Sequence, residues 1–575
     1  MKKRMLALLL SAAMVLCLAA CGGEKNSSAS APAAEETAQE SQTAAAASAA
    51  PEENVVSAQE PASAEEAESV LELEPVELPL TSSETTMTYW IPMPPAESKG
   101  VRPDSVSFNA YMLEQTNVSF EFVGPAANVA ADNFSIMVAS GDYPDFIEKF
   151  GNYYSAGYES AIEQEIIMDV SDLIDEYMPH YSAAMHATED RMLAVTTDSG
   201  AIPGFTSFYQ DTADDSKVNT GYGAVIRMDW LEELGLELPE TYDAYYETLK
   251  AMKDEYGATM WLPNVGVPMN NAFIGGYDVA GFSTGSSVPF YVEDGEVKFG
   301  PMQDGYYDYV TMMAKWYAEG LIYPDFVSGT DVMNADSDLY ASGQVGLFFC
   351  SNRAYNSLLT GYADLNLGAA VNPVKNAGDT VHIGTPSTVN SISVVMSSQC
   401  SDPELGAKLI DWMYTEDASF HACYGFEGEA YTLDAQGEPE FTDLVTQNPD
   451  GREPVEALAS LSINYFVWNS NPNIELELQG EAYQTLYDIW GKQDGNDWNY
   501  PTTATMAEAE STEFASVYSD IETYVREQTL RWICGEITLD QAAFDEFKEN
   551  IEGMNIAACL ENKQTAYDRY TQRGA

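Results

Sequence analysis

The sequence predicts an α/β protein in which sheets are covered by helices, and two observations carry that expectation. From Met87 onward, short apolar runs alternate with amphipathic helical patterns, the grammar of strands interleaved with covering helices. The chain has 575 residues, 45% of them apolar, which is too much for one hydrophobic core, so two or more globular units are expected. Aromatic residues make up 11%, with 35 Tyr and 9 Trp, a supply of rings that bury well and still offer a polar tip.

The first stretch is set apart from that body. Lys2, Lys3 and Arg4 precede an apolar run from Met5 to Leu18 and then small residues, the three parts of an export signal over residues 1–20. The run is too short to span a bilayer comfortably. Leu18-Ala19-Ala20-Cys21 followed by Gly22 resembles the bacterial lipobox, in which Cys21 is acylated, with palmitate among its chains, and becomes the mature N-terminus. An ordinary secretory cleavage site with a chance cysteine is the alternative. Acyl chains hold a protein on a membrane without crossing it, each buried methylene being worth roughly 0.8 kcal/mol. From Cys21 to about Thr86 the chain is Ala, Ser, Glu, Gln, Thr and Pro without an aromatic residue, and it carries fourteen acids and one lysine. Such a composition cannot offset its ordering entropy, so residues 21–86 read as a disordered acidic tether.

Within the body, three helices are well marked. Thr241 caps a stretch whose Tyr242, Tyr245, Tyr246, Leu249 and Met252 share one face. Asp402 and Pro403 open another, with Leu405, Leu409, Trp412 and Met413. Thr538-Leu539-Asp540-Gln541 reads as a capping box before Phe544, Phe547, Ile551 and Met554. These stripes are expected to be core faces. Glu293-Asp294-Gly295-Glu296 and Leu433-Asp434-Ala435-Gln436-Gly437 read as hairpin turns, too poor in regularly spaced acids for calcium loops. In the run ASGDYPDFI, Asp132 to Ala139 form a helix with Gly141 at its left-handed cap, Pro144 prevents continuation, and Phe146-Ile147 begin a strand. Asp142 and Tyr143 are left on a rigid loop, where a carboxylate could accept hydrogen bonds from sugar hydroxyls and the ring could cover a pyranose face. A solvated turn, with Asp145 leading into the strand, is the plainer reading.

Acids outnumber bases 91 to 25, and a formal charge of -66 repels phosphate backbones and anionic lipid, so no nucleic acid is expected as partner. Once Cys17 leaves with the signal and Cys21 is acylated, Cys350, Cys400, Cys423, Cys534 and Cys559 remain, an odd number with no CxxC spacing. His180, His186, His382 and His421 have no recurring ligand spacing, so neither a metal nor any cofactor is called for.

Seven segments in order, TMTYWIPMPP, ASGDYPDFI, RMDWLEELGLELPETYDAYYETLKAMK, AKWYAEGLIYPDF, GQVGLFFCSNRAY, YGFEGEAYTLDAQGEPEF and the end from WICGEITLDQ to AYDRY, closely resemble the long extracellular solute-binding lipoproteins of ABC sugar importers, solute-binding protein family 1. The resemblance runs from about Thr86 to Tyr570. It implies a periplasmic-binding-protein fold: two α/β lobes with mixed sheets, a hinge crossed more than once, and a ligand cleft between the lobes. By analogy with maltose-binding protein, lobe one would take 87–221 and 380–432, and lobe two 222–379 and 433–575.

The resemblance also proposes cleft residues motif by motif. Tyr89 and Trp90 end the first strand where the family's first loop meets ligand, and Asp142, with Tyr143, matches the acid of its GD-x-PD loop. Ser351, Asn352 and Arg353 follow the strand GLFF, and the guanidinium could stack on or fork to an oxygen-rich ligand. Glu427 stands in the G-x-EG loop near Tyr424 and Tyr431, while Trp261 and Tyr209 are aromatic loop candidates. The run FCSNRAY departs from the pattern, since many relatives place a Trp there, which puts the second lobe's stacking platform in doubt.

Three functions are compatible with these features. The first is capture of a carbohydrate, a neutral oligosaccharide, by lobe closure and its delivery to membrane permease subunits, by a monomer lipid-anchored on the extracytoplasmic face of the bacterial cell membrane. The second is a surface sensor or adhesin with the same fold. The third is a glycoside hydrolase, which would need two carboxylates facing across a cleft. With no GxSxG or HExxH motif present, an enzyme is not expected.

Overall fold

The structure is a computed structural model that describes residues 73–94, 100–210, 222–261, 272–282, 289–326, 337–351, 354–355, 358–359, 362, 364–384, 392–471, 473–480, 485–486, 489–490, 498–501 and 503–573. The export signal, Cys21 and the tether up to residue 72 lie outside the described residues, as do Asn352 and Arg353.

Along the chain the strands are β1 (Thr85–Trp90), β2 (Val118–Phe122), β3 (Phe146–Glu148), β4 (Tyr222–Arg227) and β5 (Thr259–Trp261). The short β6 (Gly281–Phe282) precedes the hairpin of β7 (Phe290–Glu293) and β8 (Glu296–Phe299). There follow β9 (Val345–Ser351), β10 (Leu367–Ala370), β11 (Ile383–Gly384), β12 (Val394–Met396) and the hairpin of β13 (Tyr431–Leu433) and β14 (Pro439–Phe441). Two four-stranded sheets organise the body, in the orders β12-β3-β1-β2 and β10-β4-β9-β5.

In the first sheet β1 runs parallel to β2 and β3, with Tyr89 opposite Phe146, and β12 returns antiparallel. The alternation in TTMTYW sends Met87 and Tyr89 to one buried face and Trp90 to the other. In the second sheet β9 pairs parallel with β5 and antiparallel with β4, so this sheet is mixed as well. All seven residues of β9, VGLFFCS, are buried, as a continuous apolar run covered on both faces should be.

Each sheet has its own core. The first draws on Met87 through Phe208 and Ile392 through Val467, the second on Ala224 through Ala370 and Leu486 through Tyr570. The chain therefore passes between the cores three times. Where it leaves the first, segments run side by side: Phe205 bridges Val394, and Tyr209 bridges Ser470. The division expected at residue 432 departs from this packing. Ile463, Tyr465, Phe466 and Val467 join the first core, with Tyr465 and Phe466 edge-on to Tyr89, while Tyr431, Val445, Leu458 and Ile474 form a small cluster of their own. The tether also ends sooner than expected, because Val76 and Leu80 pack on the first core and β1 already starts at Thr85.

The helix signals were well placed. Thr241 Oγ1 accepts from the Ala244 N–H and opens Tyr242–Tyr256; Asp402 Oδ1 accepts from the Leu405 N–H ahead of Pro403–Met413. Tyr246 packs half-buried on the second core beside Trp316, and its hydroxyl donates to Glu319 at 2.7 Å. Near the C-terminus the cap is Asp540 and not Thr538: its carboxylate accepts from the Ala543 N–H at 2.9 Å and the helix is Gln541–Gly553. Asp294 and Gly295 take positive φ in the tight β7–β8 turn.

Beneath β7, the Lys563 amine lies 4.4 Å from the ring centre of Tyr500, 5.4 Å from Phe514 and 6.0 Å from Phe290. Burial pushes it down from 10.5 to about 8. Between those values the folded chain binds fewer protons than the unfolded chain, so stability rises with pH across that window and is lowest below it. Lys563→Met is expected to stabilise the protein at pH 7 by about 1 to 3 kcal/mol and to flatten the rise toward pH 10, as urea titrations at the two pH values would read.

Candidate functional site

In open α/β sheets ligands bind outside the carboxyl ends of the parallel strands, where loops diverge and free backbone groups point outward. In the first sheet these ends are Trp90, Phe122 and Glu148. The loops beyond the first two are zipped together: the Val123 N–H donates to the Tyr89 carbonyl at 2.9 Å, Met93 N–H to Pro125 at 2.7 Å, and Ala127 N–H to Met93 at 3.0 Å. That approach needs Gly124, where a Cβ would stand 1.5 Å from the Ile91 oxygen.

Beyond β3 the chain turns sharply. Lys149 has φ +57°, donates its N–H to the Ser393 carbonyl at 2.7 Å, and starts the helical turn Phe150–Tyr153. Lys149 and Asn152 are exposed, and Tyr153 and Tyr154 are half-buried. Tyr153 stands edge-on to Trp90 at 5.5 Å and tilted on Phe134 at 5.4 Å, while the Trp90 indole N–H donates to Asn133 Oδ1 at 2.9 Å. Behind them the Glu148 carboxylate is buried, which raises its pKa, and accepts the Tyr89 hydroxyl at 2.6 Å and the Phe466 N–H at 3.4 Å. The edge thus offers a partly open ring on an aromatic base, an amide and an amine, groups suited to stacking and hydrogen bonding. Among the described residues no trio of His, Cys, Asp or Glu could hold a metal ion.

The residues expected in the cleft are scattered. Tyr89 is fully buried among Phe120, Phe122 and Phe146, and Trp90 is 2% exposed, so both support the edge from inside. Asp142 is exposed and Tyr143 half-buried, but their loop precedes β3 and so lies at the amino edge of the parallel strands. There Asp145 does the binding: it accepts from Thr88 N–H at 2.6 Å, Thr88 Oγ1 at 2.7 Å and Ser401 N–H at 2.6 Å. Trp261 ends β5 buried against Tyr340. Ser351 ends β9 buried, its Oγ accepting from the Ala354 N–H at 3.1 Å. Trp261 and Ser351 do share the carboxyl edge of β5 and β9. Tyr209 lies on the crossing segment, where its carbonyl accepts from Arg191 at 2.6 Å, and Glu427 is exposed beside Tyr431. Lys149, Asn152, Tyr153 and Tyr154 are further candidates at this edge, and the sequence places them directly after the strand that ASGDYPDFI begins.

Residues 100–419 match the family model of bacterial extracellular solute-binding proteins. The chain belongs to this family. This solute-binding protein is 24% identical over 536 residues to the fructooligosaccharide ABC transporter substrate-binding protein FusA of Streptococcus pneumoniae serotype 4, covering 87% of this chain and 93% of that one. It is 21% identical over 468 residues to the polygalacturonan/rhamnogalacturonan-binding protein YtcQ of Bacillus subtilis strain 168, covering 79% and 86%. An extracellular solute-binding protein from Bifidobacterium longum subsp. infantis has the same fold, with a TM-score of 0.67 at 19% identity over 85% of this chain and 99% of that one. The two-lobed periplasmic-binding-protein-like fold expected from the resemblance is therefore that of this solute-binding protein.

Proposed function

We propose that the protein captures a carbohydrate, a neutral oligosaccharide, outside the cell and hands it to the permease of an ABC importer, as a monomer held to the membrane by a lipid on Cys21. The observation that carries this reading is the half-buried Tyr153 ring on its Trp90 and Phe134 base at the carboxyl edge of a solute-binding fold. Lobe one would be 73–208 and 392 to about 470, lobe two 222 to about 380 and 485–573, closing on the ligand about the crossing segments. FusA and YtcQ carry names that assign them a neutral and an acidic glycan, and a net charge of -66 favours the neutral class here. Binding without turnover completes the reading, as FusA and YtcQ are both named as binding proteins.

A thermal-shift screen of the mature chain against neutral oligosaccharides, uronates and short peptides, with each hit checked for breakdown products, tests it. A ligand at a hundred times its dissociation constant adds roughly 2.7 kcal/mol. A shift with neutral glycans and no cleavage is expected; a shift with peptides alone, or cleavage of the hit, contradicts the reading. Tyr153→Ala is expected to weaken binding about tenfold by removing the ring, whereas Asp142→Ala at the opposite edge should leave affinity within about twofold, both read by calorimetry.

A further inference from the structure

A charged cluster far along the chain from the proposed cleft residues joins the two cores. Asp198 sits at the tip of a tight turn in the first: Thr197 N–H donates to Ala201 at 2.9 Å, Gly200 N–H to Thr197 at 3.1 Å, and Ser199 N–H to Glu159 at 2.7 Å. Ala194, Val195 and Ile202 on either side are buried in that core. Its carboxylate is gripped by two guanidiniums from the end of the C-terminal helix Ile556–Tyr570 and just beyond, which pack in the second core. Arg569 Nε meets Oδ2 at 2.6 Å, and Arg573 reaches Oδ1 at 2.6 Å and 2.8 Å.

Each arginine is fixed from its own side. Arg569 forks onto Glu510 with two contacts of 2.7 Å, and Arg573 donates to the Thr503 carbonyl at 2.9 Å. Arg573 also crosses back, to the Leu193 carbonyl at 3.2 Å, and Leu193 itself packs on the second core. The Arg573 side chain is 4% exposed and that of Asp198 22%, so the arginine end of the pair is shielded from salt, and the two arginines divide the carboxylate, Arg573 on Oδ1 and Arg569 on Oδ2. Two arginines against two carboxylates make the cluster neutral in a chain with only 25 basic residues.

We propose that Asp198, Arg569 and Arg573 form an ionic latch between the lobes that fixes their relative orientation before ligand arrives. The proposal rests on the two-lobed reading above but not on any ligand. A lobe rotation has to keep or break these contacts, and a latch that differs between the two states sets the fraction of chains competent to bind.

Small-angle X-ray scattering of the mature protein without ligand is the test, comparing wild type with Asp198→Asn, Arg573→Gln and Asp198→Glu. The turn is made by backbone bonds, so Asp198→Asn should fold, and Arg573→Gln approaches the same contact from the other lobe. The expected result is a shifted, broader pair-distance distribution for Asp198→Asn and Arg573→Gln, with Asp198→Glu close to wild type. Superimposable profiles for wild type, Asp198→Asn and Arg573→Gln would overturn the latch. Because no sugar is present, this outcome is independent of whether the carbohydrate reading holds.

Discussion

Gly124→Ala is expected to destabilise the first lobe by about 4 kcal/mol or more, the range in which a single substitution marks a special constraint. A Cβ at this position would lie 1.5 Å from the Ile91 oxygen and 2.4 Å from its carbonyl carbon, and backbone cannot swing away as a side chain can. To relieve the clash the loops after β1 and β2 must part, which breaks the Met93 to Pro125 and Ala127 to Met93 bonds. Those loops frame the edge where ligand is proposed to sit, so binding should fall with stability. Gly141→Ala is the informative comparison: its φ is +68° but nothing lies within 4 Å of the added carbon, so a cost of about 1 kcal/mol is expected. Urea midpoints of the two variants check the contrast, and equal midpoints would refute it.

The second large effect is at Asp145. Asp145→Ala is expected to cost about 3 to 5 kcal/mol, because it strands two backbone N–H groups and the Thr88 hydroxyl at a buried junction of β1, β3 and the segment leading into Pro403–Met413. Asp145→Asn keeps the shape and one acceptor and should cost less. Burial alone would raise the carboxyl pKa, but the Ser401 and Thr88 hydrogen bonds outweigh it and hold the group below its ordinary value. The folded chain then binds fewer protons than the unfolded one, so this contribution is present above the ordinary carboxylate range and is lost as pH falls through it. Stability curves between about pH 7 and pH 3 should therefore show a shallower acid limb for Asp145→Asn than for wild type.

Helices and buried strands were legible in the sequence, and the ends of strands were not. Periodicity and caps marked the helices at Thr241 and Asp402, and the apolar run GLFF marked the strand that is β9, because burial writes itself directly into residue type. The edge of a strand is written less clearly. Asp142 and Tyr143 have the chemistry of a sugar site, yet that chemistry reads the same at either end of β3, and only strand direction within the sheet separates the two. Tyr89 and Trp90 adjoin the proposed edge but face inward, since successive residues of a strand point to opposite faces and both faces here are covered. The run INYFVW suits either core equally, so its place under the first sheet became visible only through the rings of Tyr465 and Phe466 around Tyr89.

Hydrogen exchange with and without the best glycan from the screen tests the central claim most directly, because it reads which strand ends the ligand covers. Slowed exchange is expected in residues 90–93, 122–127 and 149–158, with 139–145 unchanged. Protection confined to 139–145, the ASGDYPD loop, would contradict it and return the binding site to the amino edge of the sheet.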